Sequence, residues 1–365
     1  MPCARVQEFA RQAFMAAGVP PEDAALCAEI LVSADRRGIS SHGIGRLTGH
    51  YLDRIKSGIQ SAATHLELVK NSGATCVIDG HGGMGMVIAR HAMANAIGKA
   101  KDYGIGIAVV RNSSHFGIAG YYSEMAVKAG CIGICGTNAR PSVAPTFSTQ
   151  NVIGTNPLAC AMPSAEDFPF SYDGSTCVSQ RGKVELYARL GKALPPGWVI
   201  GIDGNTRSDT EAVIRDFPQN RAALVPLGGI GETGAGYKGY GFGMIVELLS
   251  SALQQGAFLS ALSGLTDDGR KRSPRTGHFF IAIDVEHFTD LESFKRTVAA
   301  ATAECRAARK APGCDRIYTA GEKEYYRTLE TGKSGIALND ALRRMMCRVK
   351  RDYKLDFELP FEEKQ

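Results

Sequence analysis

Two short segments centred on histidines carry the side chains best suited to acid–base chemistry. The first spans residues 40–46 and reads SSHGIGR. His42 and Arg46 are four residues apart, so on a helix they would share one face. A guanidinium in that place can hold an anionic substrate beside a proton donor. The alternative interpretation is a helix N-cap at Ser40 or Ser41, followed by a surface arginine.

The second segment spans residues 112–117 and reads NSSHFG. It directly follows a buried, strand-like run from Ile105 to Val110 and precedes a predicted helix. The carboxyl ends of strands are where open α/β sheets place their ligands. His115 is therefore a candidate general acid and base, because imidazole titrates near neutral pH. A capping histidine or one that braces the loop is the alternative.

Glycine-rich loops are the third feature that could carry chemistry. Residues 229–234 and 234–239 both match GxGxxG. Pro226 in the preceding run is awkward for a central strand, and Glu247, the acid at ribose-reading distance, falls inside a helical pattern. A Rossmann fingerprint is thus disfavoured. The loop is either a flexible lead into a helix or a phosphate site, with Lys238 at a helix N-terminus.

Other chemistries lack their signatures. The eight histidines form no HxxxH or HExxH, no carboxylates have metal-ligand spacing, and GxSxG is absent, so neither a metal nor a serine nucleophile is predicted. The net charge of +5 comes without a Lys/Arg block typical of nucleic-acid binding, and the basic stretch at 343–354 fits a solvated helix face.

The chain also gives expectations about its compartment. No segment approaches the roughly 18 apolar residues of a membrane span, and the N-terminal pattern is that of an amphipathic helix rather than a signal peptide. Ten scattered cysteines without a CxxC pair fit reduced thiols in a reducing compartment. We therefore expect a cytoplasmic protein with no membrane partner.

The elements that must position these residues form an α/β pattern. Strands alternate with helices, which indicates a central, largely parallel or mixed sheet covered by helices. The predicted strands are 76–78, 105–110, 132–135, 158–162 and 279–285, and the predicted helices are 6–14, 21–36, 46–56, 87–102, 119–128 and 241–255. Residues 71–285 are expected to form the α/β domain. Residues 1–70 and 286–365 are expected to pack together as a smaller helical domain.

Several segments together carry a resemblance to a known family. They are ADRRGISSHG (34–43), NSSHFG (112–117), GTNPL (154–158), RGK (181–183), LPPGW (194–198), YKGYG (237–241) and RIYTAGEKE (316–324). They occur in order along nearly the whole chain. The sequence resembles the type-2 malate/L-lactate dehydrogenase family, which includes ureidoglycolate, sulfolactate and 2,3-diketogulonate oxidoreductases and Δ1-piperideine-2-carboxylate reductase.

The resemblance implies a nicotinamide-binding fold that is not Rossmann, and a homodimer whose active site lies between the cofactor domain and the helical domain. It implies reversible hydride transfer between NAD or NADP, with NAD favoured, and a small 2-hydroxy acid, with L-malate and oxaloacetate as the first expectation. L-lactate, sulfolactate or a cyclic imine are alternative substrates. A non-catalytic metabolite-binding protein on the same scaffold is the alternative from another class.

The resemblance also implies roles for individual residues. His115 would exchange the proton, Arg46 would grip the substrate carboxylate, and Ser41 and His42 would line the same pocket. Asp173 would sit beside both substrate and nicotinamide. The remaining cofactor-binding residues would be Phe116, Gly117, Thr155, Asn156, Pro157, Ser175, Thr176, Lys183, Lys238, Gly239, Arg316, Gly321 and Glu322.

A malate enzyme needs a second cationic contact, because oxaloacetate has a second carboxylate that pyruvate lacks. Arg140 is the candidate, since it follows the predicted strand 132–135 by a few residues, at the expected ligand-binding end of the sheet. The alternative is that Arg140 only braces the loop before Pro141.

Overall fold

A seven-stranded sheet forms the centre of the protein in a computed structural model, which describes residues 1–362. The strands, in spatial order β1-β2-β3-β9-β4-β5-β6, are β1 (Glu67–Ser72), β2 (Thr75–Asp79), β3 (Ile105–Ser113), β9 (Thr276–Asp284), β4 (Cys131–Thr137), β5 (Leu158–Met162) and β6 (Phe170–Gly174). Only β2 and β3 pair in parallel, and every other neighbouring pair is antiparallel. The mixed sheet is confirmed, whereas a largely parallel one is wrong.

The reason is the position of β9. This late strand lies between β3 and β4 and runs antiparallel to both, so β3 and β4 point the same way without touching. The register pairs Ser113 with Thr276, Gly136 with Leu158, and Leu158 with Gly174. The ends of β3, β4 and β6 and the starts of β5 and β9 therefore meet at one edge, which we call the site edge.

The helices follow the sequence signals closely. Pro21 stands in the first turn of α2 with two acidic neighbours, and α4 ends at Gly104, whose φ of +80° suits a left-handed cap. The α-helices are α1 (Cys3–Ala16), α2 (Pro21–Arg36), α3 (Asp53–Lys56), α4 (Gly85–Tyr103), α5 (Gly120–Lys128), α6 (Arg181–Arg189), α7 (Thr210–Asp216), α8 (Gly236–Leu249), α9 (Leu291–Ala307), α10 (Glu322–Ser334) and α11 (Asp340–Asp352). None within residues 1–362 is both long and apolar enough to cross a membrane.

The two ends of the chain contact each other. The amino group of Met1 donates to the carbonyl oxygen of Ile336 at 2.9 Å, and the Phe9 and Phe357 rings meet edge to face with 5.3 Å between centroids. Buried side chains of α1, α2 and α11 belong to the same apolar core as those of the central sheet. The division into three segments at residues 70 and 285 stays a prediction.

A second, two-stranded sheet lies beside the main one. β7 (Val199–Gly201) pairs with β8 (Ala222–Leu224), and α6 and α7 flank a separate core that includes Val143, Val184 and Val213. The glycine-rich loop after β8 leads into α8. Because β8 pairs only with β7 in this sheet, the loop does not belong to a Rossmann βαβ unit.

Candidate active site

His115 lies just beyond the end of β3, at the site edge. The Tyr51 hydroxyl lies 2.7 Å from Nδ1 of His115, and the backbone N–H of Gly117 points at the same nitrogen at 3.4 Å. Tyr51 is fully buried, so its ring holds the imidazole in one orientation. The nitrogen left to exchange a proton with a ligand is therefore Nε2.

Two further histidines surround His115. The ring of His42 stacks on it with 5.7 Å between centroids and 14° between planes, and that of His50 meets it edge-on at 4.9 Å. The Ser41 hydroxyl lies 2.9 Å from Nδ1 of His42. The predicted pair His42 and His115 is thus brought together, and His50 joins it.

An irregular helical stretch delivers these side chains. Residues 40–46 form two 3₁₀ turns, Leu47–Leu52 form a π-helical turn, and α3 follows, so the predicted helix over 46–56 is confirmed in part. In a regular α-helix consecutive side chains diverge by about 100°. Here the wide π turn lets the adjacent residues His50 and Tyr51 both contact His115.

A buried carboxylate anchors the start of this stretch. Asp35, on α2, accepts a hydrogen bond from the backbone N–H of Ile44 at 2.7 Å. A Cβ on Gly43 would lie 2.0 Å from the Asp35 carboxylate, so the turn requires glycine there. Burial raises the pKa of Asp35 to about 7.

The electrostatics favour neutral imidazoles in the free protein. Burial, followed by the charge of Arg46, lowers the pKa of His42 to about 4 and that of His50 to about 3. Burial and the same cationic surroundings hold the pKa of His115 well below its usual value. Anionic groups placed among these residues would reverse the field and favour protonation.

Two arginines, Arg46 and Arg54, border the histidines, and Arg140 lies within electrostatic reach of Arg54. The Nε of Arg46 donates to the backbone oxygen of Ser41, and Gly182 at the start of α6 lies so close that a Cβ there would be 3.0 Å from Nη2 of Arg46. Burial lowers the pKa of Arg54, and the charge of exposed Arg140 acts in the same direction. No carboxylate in residues 1–362 forms an ion pair with Arg46, Arg54 or Arg140.

Sequence reasoning missed His50 and Arg54, although a signal was present. His42, Arg46, His50 and Arg54 recur every four residues, the spacing of one helical face. Following this repeat beyond Arg46 would have found both.

The turn before β5 is built around Asn156. This residue is fully buried, with a φ of +36°; its Oδ1 accepts from the N–H of Ala139, and its Nδ2 donates to Glu247 at 2.8 Å. The Thr176 hydroxyl donates to the backbone oxygens of Thr155 and Asn156, both at 3.2 Å. Asn156 thus shapes the turn, while Thr155 and Pro157 remain partly exposed at the site edge.

Asp173 lies at the end of β6, against the start of α5. Its Oδ2 accepts from the N–H of Gly120 at 2.7 Å, where the helix dipole favours a negative charge. Asp173 keeps access to solvent, but the surrounding protein weakens the hydration of its carboxyl and raises its pKa to about 6. Phe116 is buried, and its ring stacks on that of His278 with 4.6 Å between centroids, so it packs in the core next to His115.

The start of α8 is the predicted phosphate-binding segment. No side chain caps this helix, Lys238 in its first turn is exposed, and a Cβ on Gly239 would lie 2.3 Å from the carbonyl oxygen of Leu227. Leu227 in turn donates its N–H to the carbonyl oxygen of Thr176. Backbone carbonyl oxygens of Gly231 and Ala235 accept from the N–H groups of Gly236 and Lys238, so the feature that suits the pyrophosphate of a dinucleotide is the exposed lysine at a glycine-rich helix start.

Two more predicted cofactor residues lie in this region of the chain. The Ser175 hydroxyl donates to the carbonyl oxygen of Cys177 at 3.2 Å, next to Thr176. Lys183, on α6, places its Nζ 5.8 Å from the centre of the Trp198 ring.

Three predicted cofactor residues lie elsewhere. Arg316 pairs with the fully buried Glu322, which also lies 3.8 Å from Arg306. A Cβ on Gly321 would lie 2.9 Å from that of Ser171, near the start of β6. This group contacts β6 at Ser171, two residues before Asp173, and the charge of Glu324 acts on Asp173, so its part in the cofactor site stays a prediction.

No group of three or more histidine, cysteine or acidic side chains is arranged to hold a metal in the part of the chain that the structure describes.

Comparison with known proteins adds independent evidence. A family model described as malate/L-lactate dehydrogenase matches residues 1–347. The malate dehydrogenase of Pyrococcus horikoshii is 42% identical over 331 residues, covering 91% of this chain and 89% of the relative. The L-sulfolactate dehydrogenase of Methanocaldococcus jannaschii is 35% identical, with 93% of each chain covered. The crystal structure of malate dehydrogenase from Entamoeba histolytica superposes with a TM-score of 0.94 at 41% identity, covering 99% of both chains.

The fold and the site edge, together with these likenesses, define a dehydrogenase that uses a nicotinamide cofactor to interconvert a 2-hydroxy acid and its 2-oxo acid. The chain belongs to the malate/L-lactate dehydrogenase family.

Proposed function

We propose that this enzyme interconverts L-malate and oxaloacetate. The observation that carries the proposal is that Arg46 and Arg54 lie around the histidines, with Arg140 near Arg54, and that none of the three pairs with a carboxylate in residues 1–362. Cations that lack a protein partner in a partly dehydrated site are costly until an anion binds. A substrate with two carboxylates satisfies such a site better than one with a single carboxylate.

The proposed roles follow from the geometry. When bound, the nicotinamide cofactor supplies or accepts the hydride at the carbon that bears the reacting oxygen. Arg46 holds the carboxylate next to that carbon through its guanidinium fork, which fixes the face presented. His115 gives a proton to the carbonyl oxygen through Nε2 in reduction and takes it back in oxidation, a contribution of roughly 10²–10⁴-fold. Arg54 and Arg140 receive the distal carboxylate.

Substrate binding is also expected to favour protonation of His115, the general acid. His115 is neutral in the free protein, because burial and nearby cations lower its pKa. The two negative charges of oxaloacetate offset Arg46 and Arg54, so the imidazolium form needed for reduction becomes accessible once the substrate is in place.

We propose NAD rather than NADP as the cofactor. Among the predicted cofactor-binding residues the cations are Lys183, Lys238 and Arg316, and Arg316 is paired with Glu322. The two lysines suit the pyrophosphate, which leaves no unpaired cation in that set for a 2′-phosphate. Fluorescence titration with NADH and NADPH tests this preference.

We further propose a cytoplasmic homodimer. All ten cysteines are free thiols, which fits a reducing compartment.

The outer face of α8 supports the homodimer. It is apolar, with Phe242, Ile245 and Leu248 each more than half exposed, as expected of a surface that a second copy covers. Light scattering on Ile245→Glu, compared with the natural chain, tests the dimer.

The decisive experiment follows loss of NADH absorbance with oxaloacetate, pyruvate, sulfopyruvate and a cyclic 2-carboxy imine in parallel. We expect the highest kcat/KM with oxaloacetate. A higher value with sulfopyruvate would reassign the distal group to a sulfonate, and a higher value with pyruvate or the imine would overturn the dicarboxylate proposal.

A further inference from the structure

The ring of His50 differs from those of its neighbours in its bonding. His42 and His115 each have one ring nitrogen engaged, by Ser41 and Tyr51 respectively. His50 makes no hydrogen bond to any group in residues 1–362, although its ring is fixed against that of His115 at 4.9 Å and is only partly exposed. Both of its nitrogens are thus available to a ligand.

The charges next to His50 are the positive charges of Arg46 and Arg54, and the neighbouring imidazoles are neutral in the free protein. Arg46 and Arg54 flank it on its own segment, His42 faces it from the preceding 3₁₀ turn, and His115 contacts it from the loop after β3. Burial and these charges lower the pKa of His50 to about 3 in the free protein. An incoming dianion would replace this repulsion with attraction.

We propose that His50 acts with Arg54 and Arg140 as a specificity-determining residue for the second carboxylate, and that it takes up a proton when a dicarboxylate binds. This inference rests on the proposed function. The π turn serves this purpose by directing Tyr51 at the imidazole of His115 while the adjacent His50 faces the ligand.

The sign of the pH dependence follows from linkage. A group whose pKa is raised by the ligand makes binding tighter at lower pH, by up to about tenfold per pH unit between its free and bound pKa values. The ratio of kcat/KM for oxaloacetate to that for pyruvate cancels the pH dependence that the two substrates share, and comparison with variants of His50 assigns the remainder to this residue. We expect this ratio to fall as pH rises.

Two variants separate charge from shape. His50→Gln keeps a hydrogen-bond donor but cannot be charged, so the ratio should be low and flat with pH. His50→Lys carries a permanent charge, so the ratio should stay high and lose its pH dependence. His91→Gln, on the exposed surface of α4, is the matched control and should follow the natural enzyme.

Proton uptake gives a readout independent of turnover. L-malate is added to enzyme loaded with NADH, a complex in which no hydride can transfer, in weak buffer with a pH indicator. The natural enzyme should take up more protons with L-malate than with L-lactate, by a measurable fraction of a proton per site that grows as the assay pH is lowered toward about 6, and His50→Gln should abolish that difference.

An unchanged difference in His50→Gln, or a pH-dependent ratio that survives in both variants, would overturn the role of His50 while leaving the malate assignment intact. An enzyme that prefers pyruvate and binds no dicarboxylate would overturn the proposed function, and the role of His50 with it.

Discussion

Two groups of arginines lie in opposite electrostatic surroundings. Near the start of β6, Arg306 pairs with Glu166 and lies 3.8 Å from Glu322, Arg316 pairs with Glu322, and the side chain of Glu322 is fully buried. At the site edge, the arginines face histidines and one another. In the first group, carboxylates of the chain itself neutralise the arginines. In the second group, we expect a bound anion to do so.

This difference teaches how to separate structural from functional cations. Arg316 and Glu322 belong to a motif that the family resemblance implies is cofactor-binding, and in this structure they pair with each other, while Arg306 on α9 joins Glu322 to Glu166 in the loop before β6. Arg54 carries no motif but lies where a ligand is needed. A cation that lacks a carboxylate partner is therefore a candidate for anion binding even where no motif marks it.

Removing His115 should have the largest effect at the site edge. His115→Ala is expected to lower kcat by about 10²-fold or more, because it deletes the group that exchanges the proton, while NADH binding stays largely intact. Steady-state kinetics and NADH fluorescence measure the two quantities. A variant that keeps more than about a third of kcat, a barrier change below roughly 1 kcal/mol, would rule out this role.

Substitution of Arg140 tests whether the arginines without a carboxylate partner bind the distal carboxylate of the substrate. Arg140→Gln should lose about 1.5–3 kcal/mol of transition-state binding for oxaloacetate and little for pyruvate, the range for a hydrogen bond to a charged group. The ratio of kcat/KM for the two substrates is the measurement. An equal fall for both would leave Arg140 as a brace for the loop.

Substitution of Arg306 tests whether the ion-paired arginines near the start of β6 stabilise the fold. Arg306→Gln leaves Glu166 and the buried Glu322 short of a partner, so the free energy of unfolding should fall by about 1–3 kcal/mol while the kinetics hardly change. Urea denaturation followed by circular dichroism measures it. Arg270→Gln removes a pair that is exposed on both sides and should be near neutral; equal losses in the two variants would contradict the comparison.

Lys238 should show the smallest effect. Lys238→Ala removes an exposed cation from the first turn of α8, so the dissociation constant of NADH should rise by about two- to fivefold, the size of a charge effect at a helix end. An unchanged NADH constant with a raised KM for oxaloacetate would move Lys238 to the substrate side.

Much of the fold could be predicted because its elements are buried and bounded by clear signals. The apolar run 105–110 and the helix from Pro21 to Arg36 both appear where the pattern places them. β1 was missed because all six of its residues are exposed, and β7 and β8 are only three residues long, too short for any periodicity. Neither kind of strand produces the alternating pattern of apolar and polar residues by which a strand is predicted.

The site was harder to predict, for two physical reasons. α8 starts at Gly236 and not at the predicted Gly241, because tight packing of Gly239 on Leu227 outweighs the poor helix propensity of a glycine-rich start. His50 contacts His115 through a π turn, a geometry for which local propensity gives no warning.

The placement of β9 also bears on how the chain is made. During synthesis, residues 67–113 and 131–174 leave the ribosome long before 276–284, so β3 and β4 wait with one edge unpaired until the strand that joins them arrives. A nascent chain halted before residue 276 would hold two half-sheets with open edges, a substrate for chaperones rather than an enzyme. His115 and Arg140 follow those two strands and reach the same edge of the sheet only when β9 is inserted, so activity should appear as one of the last events of folding.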